Sequence, residues 1–360
     1  MKLLISGAAG FIGVHAAASF LRRGAVVVAL DNLSRPGSVE NLAWIKAQGG
    51  ELHFHHLDIR NGDNVMRLFA QHPDADAVLH LAAQVAVTSS VTDPRHDFEV
   101  NALGTFNLLE ATRQFCPGAA FLYASTNKVY GELDQAAVVE RDGRYAYASR
   151  PEGIDEECPL DLHSPYGCSK GAADQYVHDY HRIYGLKSVV FRQSCIYGTR
   201  QFGVEDQGWV AWFTIAALAG FPVTIYGDGK QVRDVLWVED LIDLYSRAIE
   251  RIDVAAGQIY NVGGGPRNTL SLRELVAVLE SEAGARIYPA QANWRPGDQK
   301  IFVAGISKAK RDLAWVPRVT PDEGVQRLIK WVRSESSMVA GIVGSLKHTP
   351  ILLSAKASMQ

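Results

Sequence analysis

The sequence predicts an α/β fold in which a parallel, doubly wound sheet is joined to a smaller mixed α/β lobe at the C-terminal end. Three observations support this prediction. Short apolar runs alternate with helical patterns through the first two-thirds of the chain, the early runs are continuously apolar, and the alternation ends near Gly198. Strands separated by helices are joined by right-handed crossovers into a parallel sheet. Continuously apolar strands are typical of sheets that are covered on both faces.

The predicted elements follow one another in the order that such a sheet requires. The strands expected in the sheet are residues 3–6, 25–30, 52–56, 77–81, 119–124, 188–192 and 258–262, and the main helices between them are 11–23, 97–115, 166–184 and 238–251. A second group of segments contains helical stretches at 207–219, 272–283 and 321–333 and a strand at 223–226.

Two coupled domains are expected from this order. Residues 1–197 and 233–262 form the predicted domain around the parallel sheet, and residues 198–232 and 263–335 form the smaller lobe. Residues 336–360 are expected to be an appendage outside the fold, and the sequence assigns them no role.

The composition is that of an ordinary globular protein and excludes several classes of partner. Of 360 residues, 47% are hydrophobic and 21% charged, and the net charge of −3 gives no basic field for nucleic acid or an anionic membrane. No apolar run is long enough to span a bilayer. The four cysteines are scattered without zinc-site or disulfide spacing, which predicts no metal site and a cytoplasmic location.

Three glycines separate the first predicted strand from the first predicted helix. Gly7, Gly10 and Gly13 stand in the string GAAGFIG, with Phe11 and Ile12 before the last of them. Glycines allow a sharp turn and bring backbone N–H groups close to a pyrophosphate, whose charge the helix N-terminus stabilises. The spacing differs from the commoner GxGxxG and a plain turn is the alternative. The position within a βαβ unit favours a dinucleotide site of the Rossmann type.

An aspartate ends the second predicted strand. Asp31 can accept hydrogen bonds from both hydroxyls of an adenosine ribose and would repel a 2′-phosphate, which favours NAD over NADP. The nearby Arg35 weakens that preference, and a turn before Asn32 is the alternative role. Asp58 and Ile59 follow the third strand and are expected to cover the adenine, although Asp58 could instead cap a helix.

Small residues end the fourth predicted strand. Leu81, Ala82 and Ala83 would allow the backbone to approach a cofactor closely. Asn101 lies on the helix that follows, and we expect it to brace these loops by hydrogen bonding.

A tyrosine and a lysine stand four residues apart, so on a helix they share one face. A lysine ammonium and a positively charged nicotinamide would both lower the pKa of Tyr166, which could then act as a general base near neutral pH with Lys170 beside it. Such a pair alone is also common on surface helices. Ser125 and Thr126 end the fifth strand, where a doubly wound sheet presents its ligands, and the combination favours a catalytic site.

This combination resembles the extended short-chain dehydrogenase/reductase family, in the branch that modifies nucleotide sugars. The resemblance covers roughly residues 1–335. It runs through GAAGFIG, Asp31-Asn32, Asp58, HLAA at 80–83, NALG at 101–104, STNKVYG at 125–131, SPYGCSK at 164–170, Arg233-Asp234, NVG at 261–263 and RPGD at 295–298. It implies NAD as the cofactor, with Thr126 bonded to the reacting sugar oxygen, Tyr166 as the base and Lys170 on the nicotinamide ribose.

The same resemblance implies roles for two arginines. Arg233 and Arg295 would grip the pyrophosphate of the substrate, because a guanidinium offers a fork of donors to phosphate oxygens. Surface ion pairs are the alternative, for instance between Arg233 and Asp234 or Asp240.

The residues after Thr126 separate the branches of the family. In its 4,6-dehydratases an Asp-Glu pair follows the catalytic threonine and supplies the acid and the base that eliminate water. Asn127 and Lys128 occupy these places here and can fill neither role. A dehydratase is therefore not expected, whereas oxidation followed by re-reduction needs no such pair.

Longer strings resemble those of the CDP-tyvelose (CDP-paratose) 2-epimerases. They are STNKVYG, the segment 164–177, DQGWV at 206–210 and the insertion 132–163. The resemblance implies inversion at C2 of a CDP-hexose, with CDP-glucose also open as substrate, and NAD that stays bound between turnovers. Cys195 is a further pocket candidate, and Trp209 could equally be core. The substrate-binding residues expected are Ser125, Asn127, Ser194, Gln207, Trp209, Tyr226, Arg233, Arg295 and Asp298.

Other functions stay open at this point. A UDP-hexose 4-epimerase needs the same tyrosine, lysine and threonine and differs only in how the sugar is oriented. A cofactor-sensing regulator would need the glycine loop alone, and a net reductase would consume its nicotinamide. We also expect a homodimer or homotetramer, with the aromatic helical faces 102–115 and 176–184 as candidate interfaces.

Overall fold

The computed structural model describes residues 1–284, 286–295 and 298–347. In chain order, the strands β1 to β15 are Lys2–Ser6, Val26–Asp31, Leu52–His56, Ala77–His80, Ala120–Thr126, Val138–Arg141, Arg144–Tyr147, Lys187–Gln193, Cys195–Tyr197, Thr224–Tyr226, Val232–Trp237, Ile259–Val262, Thr269–Ser271, Ala290–Ala292 and Ile301–Phe302.

The helices α1 to α14 alternate with these strands in the first part of the chain. They are Phe11–Arg22, Ser38–Lys46, Gly62–Gln71, Val87–Thr92, Pro94–Phe98, Gly104–Phe115, Ser164–Tyr184, Trp209–Ala219, Val238–Glu250, Ile252–Ala255, Leu272–Ala283, Ser307–Leu313, Pro321–Ser334 and Ser336–Lys347. A π-helical turn, Glu99–Leu103, joins α5 to α6, and a 3₁₀ turn, Asn127–Tyr130, follows β5.

Among the described residues, seven strands form a sheet in the order β12-β8-β5-β4-β1-β2-β3. Every neighbouring pair in it is parallel. Strand order reverses on either side of β1, and ligands bind at such a switch point, beyond the carboxyl ends of the strands. The predicted doubly wound sheet is therefore confirmed.

Helices cover both faces of this sheet. On one face, α1 and α9 pack against inward side chains of β1, β2, β5 and β8, around Phe20 and Tyr245. On the other face, α3, α6 and α7 pack around Phe69, Leu108 and Val177. Side chains on both faces of the sheet are buried, which explains why the strands are continuous apolar runs in the sequence.

The second lobe contains a small sheet in the order β13-β11-β15, with β9 also paired to β11, and a separate β10–β14 pair. Strand β11 thus pairs outside the main sheet, whereas α9 and β12 return to it as predicted. The domain boundaries themselves stay a prediction. The inserted segment forms an antiparallel hairpin, β6–β7.

The predicted tail differs from expectation in the part that the structure describes. Helix α14 places Val339 and Val343 in the apolar core of the second lobe, with α8 and α13. Two valines four residues apart form one apolar face, which burial stabilises, so this helix is not an appendage outside the fold. The rest of the tail, 348–360, lies outside the described residues. Among the residues that the structure describes, no helix is both long and apolar enough to span a bilayer.

A buried ion pair fixes α7 to the main sheet. Arg192 on β8 donates to both carboxylate oxygens of Asp174 on α7, at 3.0 and 2.9 Å, and both side chains are almost fully buried. The Arg192 guanidinium also donates to the Tyr130 hydroxyl, and the Ser125 hydroxyl donates to Asp174. These hydrogen bonds thereby join four elements, which are β8, α7, β5 and the 3₁₀ turn after β5.

We predict that Arg192→Met destabilises the protein by about 3–5 kcal/mol, because it leaves the Asp174 carboxylate buried without its cation. Denaturant unfolding, followed by circular dichroism, measures the difference. The matched control is Arg311→Met, which removes an exposed pair with Asp312 and should cost about 0–1 kcal/mol. Equal effects of the two substitutions would contradict the prediction.

Candidate active site

The glycine loop and the end of β4 touch through their backbones. Gly7 has a left-handed φ of +69°, and its N–H donates to the carbonyl of Leu30 at 2.9 Å. A Cβ at Gly7 would lie 2.6 Å from the backbone nitrogen of Ala82, and one at Gly13 would overlap the carbonyl of Gly7. Only glycine therefore permits this approach.

This contact forms the floor of a cleft at the carboxyl ends of β1, β2 and β4. Apart from Asn101, Tyr166 and Lys170, every residue expected to bind the cofactor lines it. These are Gly7, Gly10, Phe11, Ile12, Gly13, Asp31, Asn32, Asp58, Ile59, Leu81, Ala82 and Ala83. These four segments lie at or just after the ends of β1, β2, β3 and β4, and they come together because the parallel sheet aligns the carboxyl ends of its strands.

Asp31 links the end of β2 to the glycine loop. Its Oδ2 accepts from the N–H of Ala9 at 3.0 Å and its Oδ1 from the N–H of Leu33 at 2.8 Å. Burial raises the pKa of Asp31, and these two backbone donors act in the opposite direction. The carboxylate faces the cleft, where it can accept from ribose hydroxyls and would repel a 2′-phosphate.

Asp58 is held at the cleft by two neighbours. Arg60 donates to both of its oxygens, at 3.0 and 2.8 Å, and the Asn32 amide donates at 3.0 Å. The hydrogen bond from Arg60 is the main cause that lowers the pKa of Asp58 to about 2. Asp58 therefore remains an acceptor over the whole physiological pH range.

Asn101 bridges four segments from the π-helical turn. Its Oδ1 accepts from the N–H of Gln84 at 2.9 Å, and its Nδ2 lies within hydrogen-bond distance of the Gln84 carbonyl, Asp97 Oδ1 and Ser169 Oγ, at 3.1, 3.1 and 3.2 Å. These bonds connect the loop after β4 to α5 and α7. The predicted bracing contacts are thus present, although Asn101 does not line the cleft itself.

Tyr166 and Lys170 lie in the first turns of α7, next to the end of β5. Pro165 pre-organises the start of this helix. The Tyr166 hydroxyl is hydrogen-bonded to Thr126, and the Lys170 ammonium donates to the carbonyl of Ala124 at 2.6 Å and lies 4.2 Å from the centre of the Tyr123 ring. The structure therefore brings together the three residues predicted to be catalytic.

The pKa values of the pair are governed by burial. Burial raises the pKa of Tyr166 to about 12, while the Thr126 hydrogen bond acts in the opposite direction. Burial lowers the pKa of Lys170 to about 7, while Asp174 and Asp97 oppose it. Desolvation of the phenolate is therefore the largest influence on the pKa of Tyr166. The lowering of this pKa by Lys170 together with a positively charged nicotinamide stays a prediction.

Two arginines of the second lobe are held by carboxylates. Arg233 donates to Asp298 at 2.8 Å and not to Asp234 or Asp240, which the sequence offered as alternatives. Arg295 lies 2.9 Å from Asp206 and stacks 3.8 Å from the centre of the Tyr226 ring. Arg233 also donates to the carbonyls of Val232 and Gln299, and Arg295 donates to that of Glu205, so each guanidinium is held by a carboxylate and by the backbone. Pro296 and Gly297 of the same motif lie outside the described residues.

Several predicted substrate residues are bonded within the protein. The Ser194 hydroxyl donates to Asp234 at 2.5 Å, and the Trp209 indole donates to the sulfur of Cys195 at 3.4 Å. Ser125 donates to Asp174 in the core, which leaves its hydroxyl only as an acceptor. Asn127 is buried in the 3₁₀ turn after Thr126.

Gln207 lines the cleft beside Asp31, where its Oε1 accepts from the guanidinium of Arg35. Phe202, on the same segment, packs against Gly37, so that the loop after β2 and the segment 200–207 are joined at two points. The expected contact of Gln207 with the sugar stays a prediction.

Two residues that contact the region of Tyr166 and Lys170 were not predicted from the sequence. Ser90 accepts from the backbone N–H of Tyr166 at 3.1 Å, and Asp97 accepts from Ser169 at 2.5 Å. The four-residue spacing of Asp97 and Asn101, which places both on one helical face, was the available signal. Nothing in the local sequence around Ser90 indicates its contact.

Comparison with known proteins agrees with this geometry. Residues 3–263 match the model of the NAD dependent epimerase/dehydratase family. The chain belongs to this family. The extended short-chain dehydrogenase/reductase resemblance is thereby confirmed.

Individual relatives of the family cover nearly the whole chain. A CDP-paratose 2-epimerase from Salmonella typhi is 46% identical over 93% of this chain and 100% of its own length. A crystal structure of UDP-glucose 4-epimerase with UDP-glucose from Thermotoga maritima has a TM-score of 0.81 at 31% identity, covering 93% and 100% of the two chains. The UDP-glucose 4-epimerase of Thermus thermophilus, solved with NAD, has a TM-score of 0.76 at 34% identity, covering 92% and 99%.

The cofactor of this family member is NAD, and the cleft fits it. The backbone cradle at Gly7 would be filled by any Cβ, and Asp31 offers acceptors to a ribose without a 2′-phosphate. Leu81, Ala82 and Ala83 line the same cleft with small or apolar side chains.

We predict that Gln207→Ala weakens the retention of NAD, because it removes the hydrogen bond that joins two walls of the cleft. The dissociation rate of NAD should rise by roughly threefold to tenfold, the order expected for one such bond. Release of the nucleotide after dilution, quantified by chromatography, measures this rate. Arg35→Met should give the same increase, since it removes the other partner.

The control for both variants is Gln326→Ala, which removes an amide from an exposed helix in the second lobe. It should leave NAD release unchanged. Unaltered release in Gln207→Ala would show that the two segments do not hold the cofactor.

Proposed function

We propose that this enzyme is a nucleotide-sugar epimerase that inverts C2 of a CDP-hexose by transient oxidation with tightly bound NAD. The observation that carries the proposal is the position of Thr126, Tyr166 and Lys170 at the end of β5, beside the glycine-floored cleft. CDP-paratose, CDP-tyvelose and CDP-glucose are the substrates considered. Their class rests on the 46% identity to a CDP-paratose 2-epimerase.

The proposed reaction begins with proton transfer at Tyr166. The phenolate takes the proton of the C2 hydroxyl, and Thr126 holds the same oxygen by a hydrogen bond. When bound, the nicotinamide ring serves first as acceptor and then as donor of the C2 hydride. Tyr166 then returns its proton to the C2 oxygen, after the opposite face of the carbonyl has been presented. Lys170, when protonated, places a positive charge beside the phenolate.

Asn127 and Lys128 support epimerisation over dehydration. Elimination of water needs an acid and a base near the sugar, and an amide can be neither. Burial is the leading cause that lowers the pKa of Lys128, and Arg233 acts in the same direction, while Asp298 and Glu132 oppose them. Lys128 stands where the 4,6-dehydratases have a glutamate, so a basic side chain replaces an acidic one at this position.

The second lobe supplies the groups proposed to hold the nucleotide. Arg233 and Arg295 can each donate to pyrophosphate oxygens, and Asp298 and Asp206 fix their orientation. Tyr226 adds an aromatic face next to Arg295. Ser194, Asn127 and Trp209 remain proposed contacts of the sugar.

We predict that the enzyme inverts C2 of CDP-linked hexoses and leaves C4 unchanged. Purified protein is incubated in separate reactions with CDP-paratose, CDP-glucose and UDP-glucose, and the products are assigned by NMR. Conversion at C2 with no net change in nicotinamide absorbance supports the proposal. Inversion at C4 of UDP-glucose alone would replace it with a 4-epimerase, and a steady absorbance change would indicate a net reductase.

The variant Tyr166→Phe tests the base in the same assay. It should lower turnover at least about a hundredfold, the usual contribution of a general base, while NAD remains bound. Tyr288→Phe, which changes a highly exposed tyrosine, serves as the control with normal turnover. Undiminished turnover in Tyr166→Phe would refute the assignment of the base.

A homodimer through α6 and α7 is part of the proposal. These helices expose Phe106, Tyr176, Ile183 and Tyr184 to between 40% and 63%, and the rings of Phe106 and Tyr176 touch edge to face. A helix pair with this much apolar surface suits a second copy of itself across a twofold axis. A homotetramer would need a further surface.

We predict that Tyr176→Glu converts the oligomer to a monomer, because it buries a charge in the interface. Sedimentation velocity measures the change. Val254→Glu, at an exposed site on α10, is the control and should sediment as wild type. A wild-type protein that is monomeric at all concentrations would contradict the interface. The cytoplasmic location expected from the scattered cysteines remains a prediction.

A further inference from the structure

Asp97 is a fully buried carboxylate next to the proposed catalytic pair, and the reaction described above does not use it. It lies on α5, where its Oδ2 accepts from the Ser169 hydroxyl at 2.5 Å and its Oδ1 from the Asn101 amide at 3.1 Å. Ser169 directly precedes Lys170 on α7. Burying a charge costs free energy unless a neighbouring group compensates it, so the burial of Asp97 needs a physical explanation.

The groups packed around the Lys170 ammonium explain the burial of Asp97. The ammonium is 3% exposed and is approached by the Ala124 carbonyl and Tyr123 ring from β5, His80 from β4, Asp174 from α7 and Asp97 from α5. The Asp174 charge is already offset by the two hydrogen bonds from Arg192. Asp97 is thus the carboxylate near Lys170 whose charge no guanidinium offsets.

Asp97 itself accepts only from neutral groups in the described part of the chain, the Ser169 hydroxyl and the Asn101 amide. Lys170 and His96 face it as well and favour its charged form, together with these two donors. Burial raises the pKa of Asp97 against all of them. The carboxylate is thus bonded to Ser169, the residue next to Lys170 on α7, and its influence on the ammonium is electrostatic.

The charge of Asp97 also acts on the Tyr166 hydroxyl. Besides burial, its hydroxyl is influenced by Thr126 from β5, which lowers the pKa, and by Asp97 from α5, which raises it. Asp97 also raises the pKa of Lys170. One carboxylate therefore moves both proposed catalytic groups in the same direction.

We propose that Asp97 is a positioning residue whose charge sets the electrostatic balance of the Tyr166–Lys170 pair. It keeps the Lys170 ammonium charged in a buried place and restrains ionisation of the Tyr166 phenol. This inference rests on the proposed function, because it takes Tyr166 as the base and Lys170 as its cationic neighbour.

Removal of the Asp97 charge should shift the pH range in which the enzyme is active to lower pH. The active form needs Tyr166 as the phenolate and Lys170 as the ammonium, so the two limbs of the pH–rate profile report the ionisations of these two groups. Without Asp97 the phenol and the ammonium both lose their protons at lower pH. Both limbs therefore shift in the same direction.

The test compares profiles of kcat/KM between wild type and Asp97→Asn, with NAD bound and the substrate that the wild type converts. We expect both limbs to shift to lower pH by roughly half a unit or more, the order for a unit charge at intermediate distance inside a protein. A loss of rate with both limbs unmoved would overturn the inference, because a merely structural role predicts that result.

Two controls separate charge from hydrogen bonding and from net charge. Ser169→Ala removes the short hydrogen bond and keeps the carboxylate, so its limbs should stay close to the wild-type positions. Asp63→Asn removes a negative charge from the exposed first turn of α3 and should leave the profile unchanged. An equal acid shift in Asp63→Asn would overturn the inference.

A second measurement does not depend on turnover. NMR titration of ¹³C-labelled lysine, with the Lys170 signal assigned by Lys170→Arg, gives the protonation midpoint directly. The midpoint should fall in Asp97→Asn, and Asp97→Ser provides the same test if the first variant does not fold. An unchanged midpoint would overturn the inference, whereas full activity of Tyr166→Phe would overturn the proposed function instead.

Discussion

A buried ammonium group is the constraint around which the centre of this protein is organised. Lys170 sits almost without solvent between α7 and the end of β5, where an uncompensated charge would cost several kcal/mol. The Ala124 carbonyl, the face of Tyr123 and the carboxylates Asp174 and Asp97 supply the compensation. Each comes from an element that must hold its position for the lysine to remain charged, so the local fold and the chemistry share one requirement.

The parallel sheet explains why these groups meet the cofactor cleft. Strands β1, β2, β4 and β5 end at the same edge, so the glycine loop, Asp31, the small residues after β4 and Thr126 emerge side by side. The π-helical turn places Asn101 between α5, α7 and the loop after β4. Such turns occur frequently at functional sites, because they re-aim a side chain without ending the helix.

The features that sequence reasoning recovered are those encoded over short distances. The strand runs, the glycine spacing and the pair Tyr166 and Lys170 depend on neighbours within one turn or one strand. The contact of Gln207 with Arg35 was not predicted, because Arg35 comes from the loop after β2, 172 positions away in sequence. The ion pair of Arg233 with Asp298 likewise depends on the packing of β11 beside β15.

The same distinction applies at the C-terminal end and at Asp97. Two valines in α14 carry too weak a pattern to predict a packed helix until the surfaces of α8 and α13 are known. Asp97 reads as an ordinary surface acid after a proline, and only the approach of α7 buries it. The periodicity of apolar residues in a sequence describes one helix or strand at a time. The contacts of α14 and of Asp97 depend on how two or three elements pack together.

The opposing charges near Tyr166 suit a reaction that returns to its starting oxidation state. An epimerase must take a proton from the sugar and give the same proton back in every turnover. A phenol that ionises too easily would return its proton slowly, and one that ionises with difficulty would take it slowly. A bound cation favours the phenolate, while burial and Asp97 favour the phenol. With Asn127 and Lys128 providing no acid–base pair for elimination, a tyrosine balanced in this way can serve both halves of the reaction.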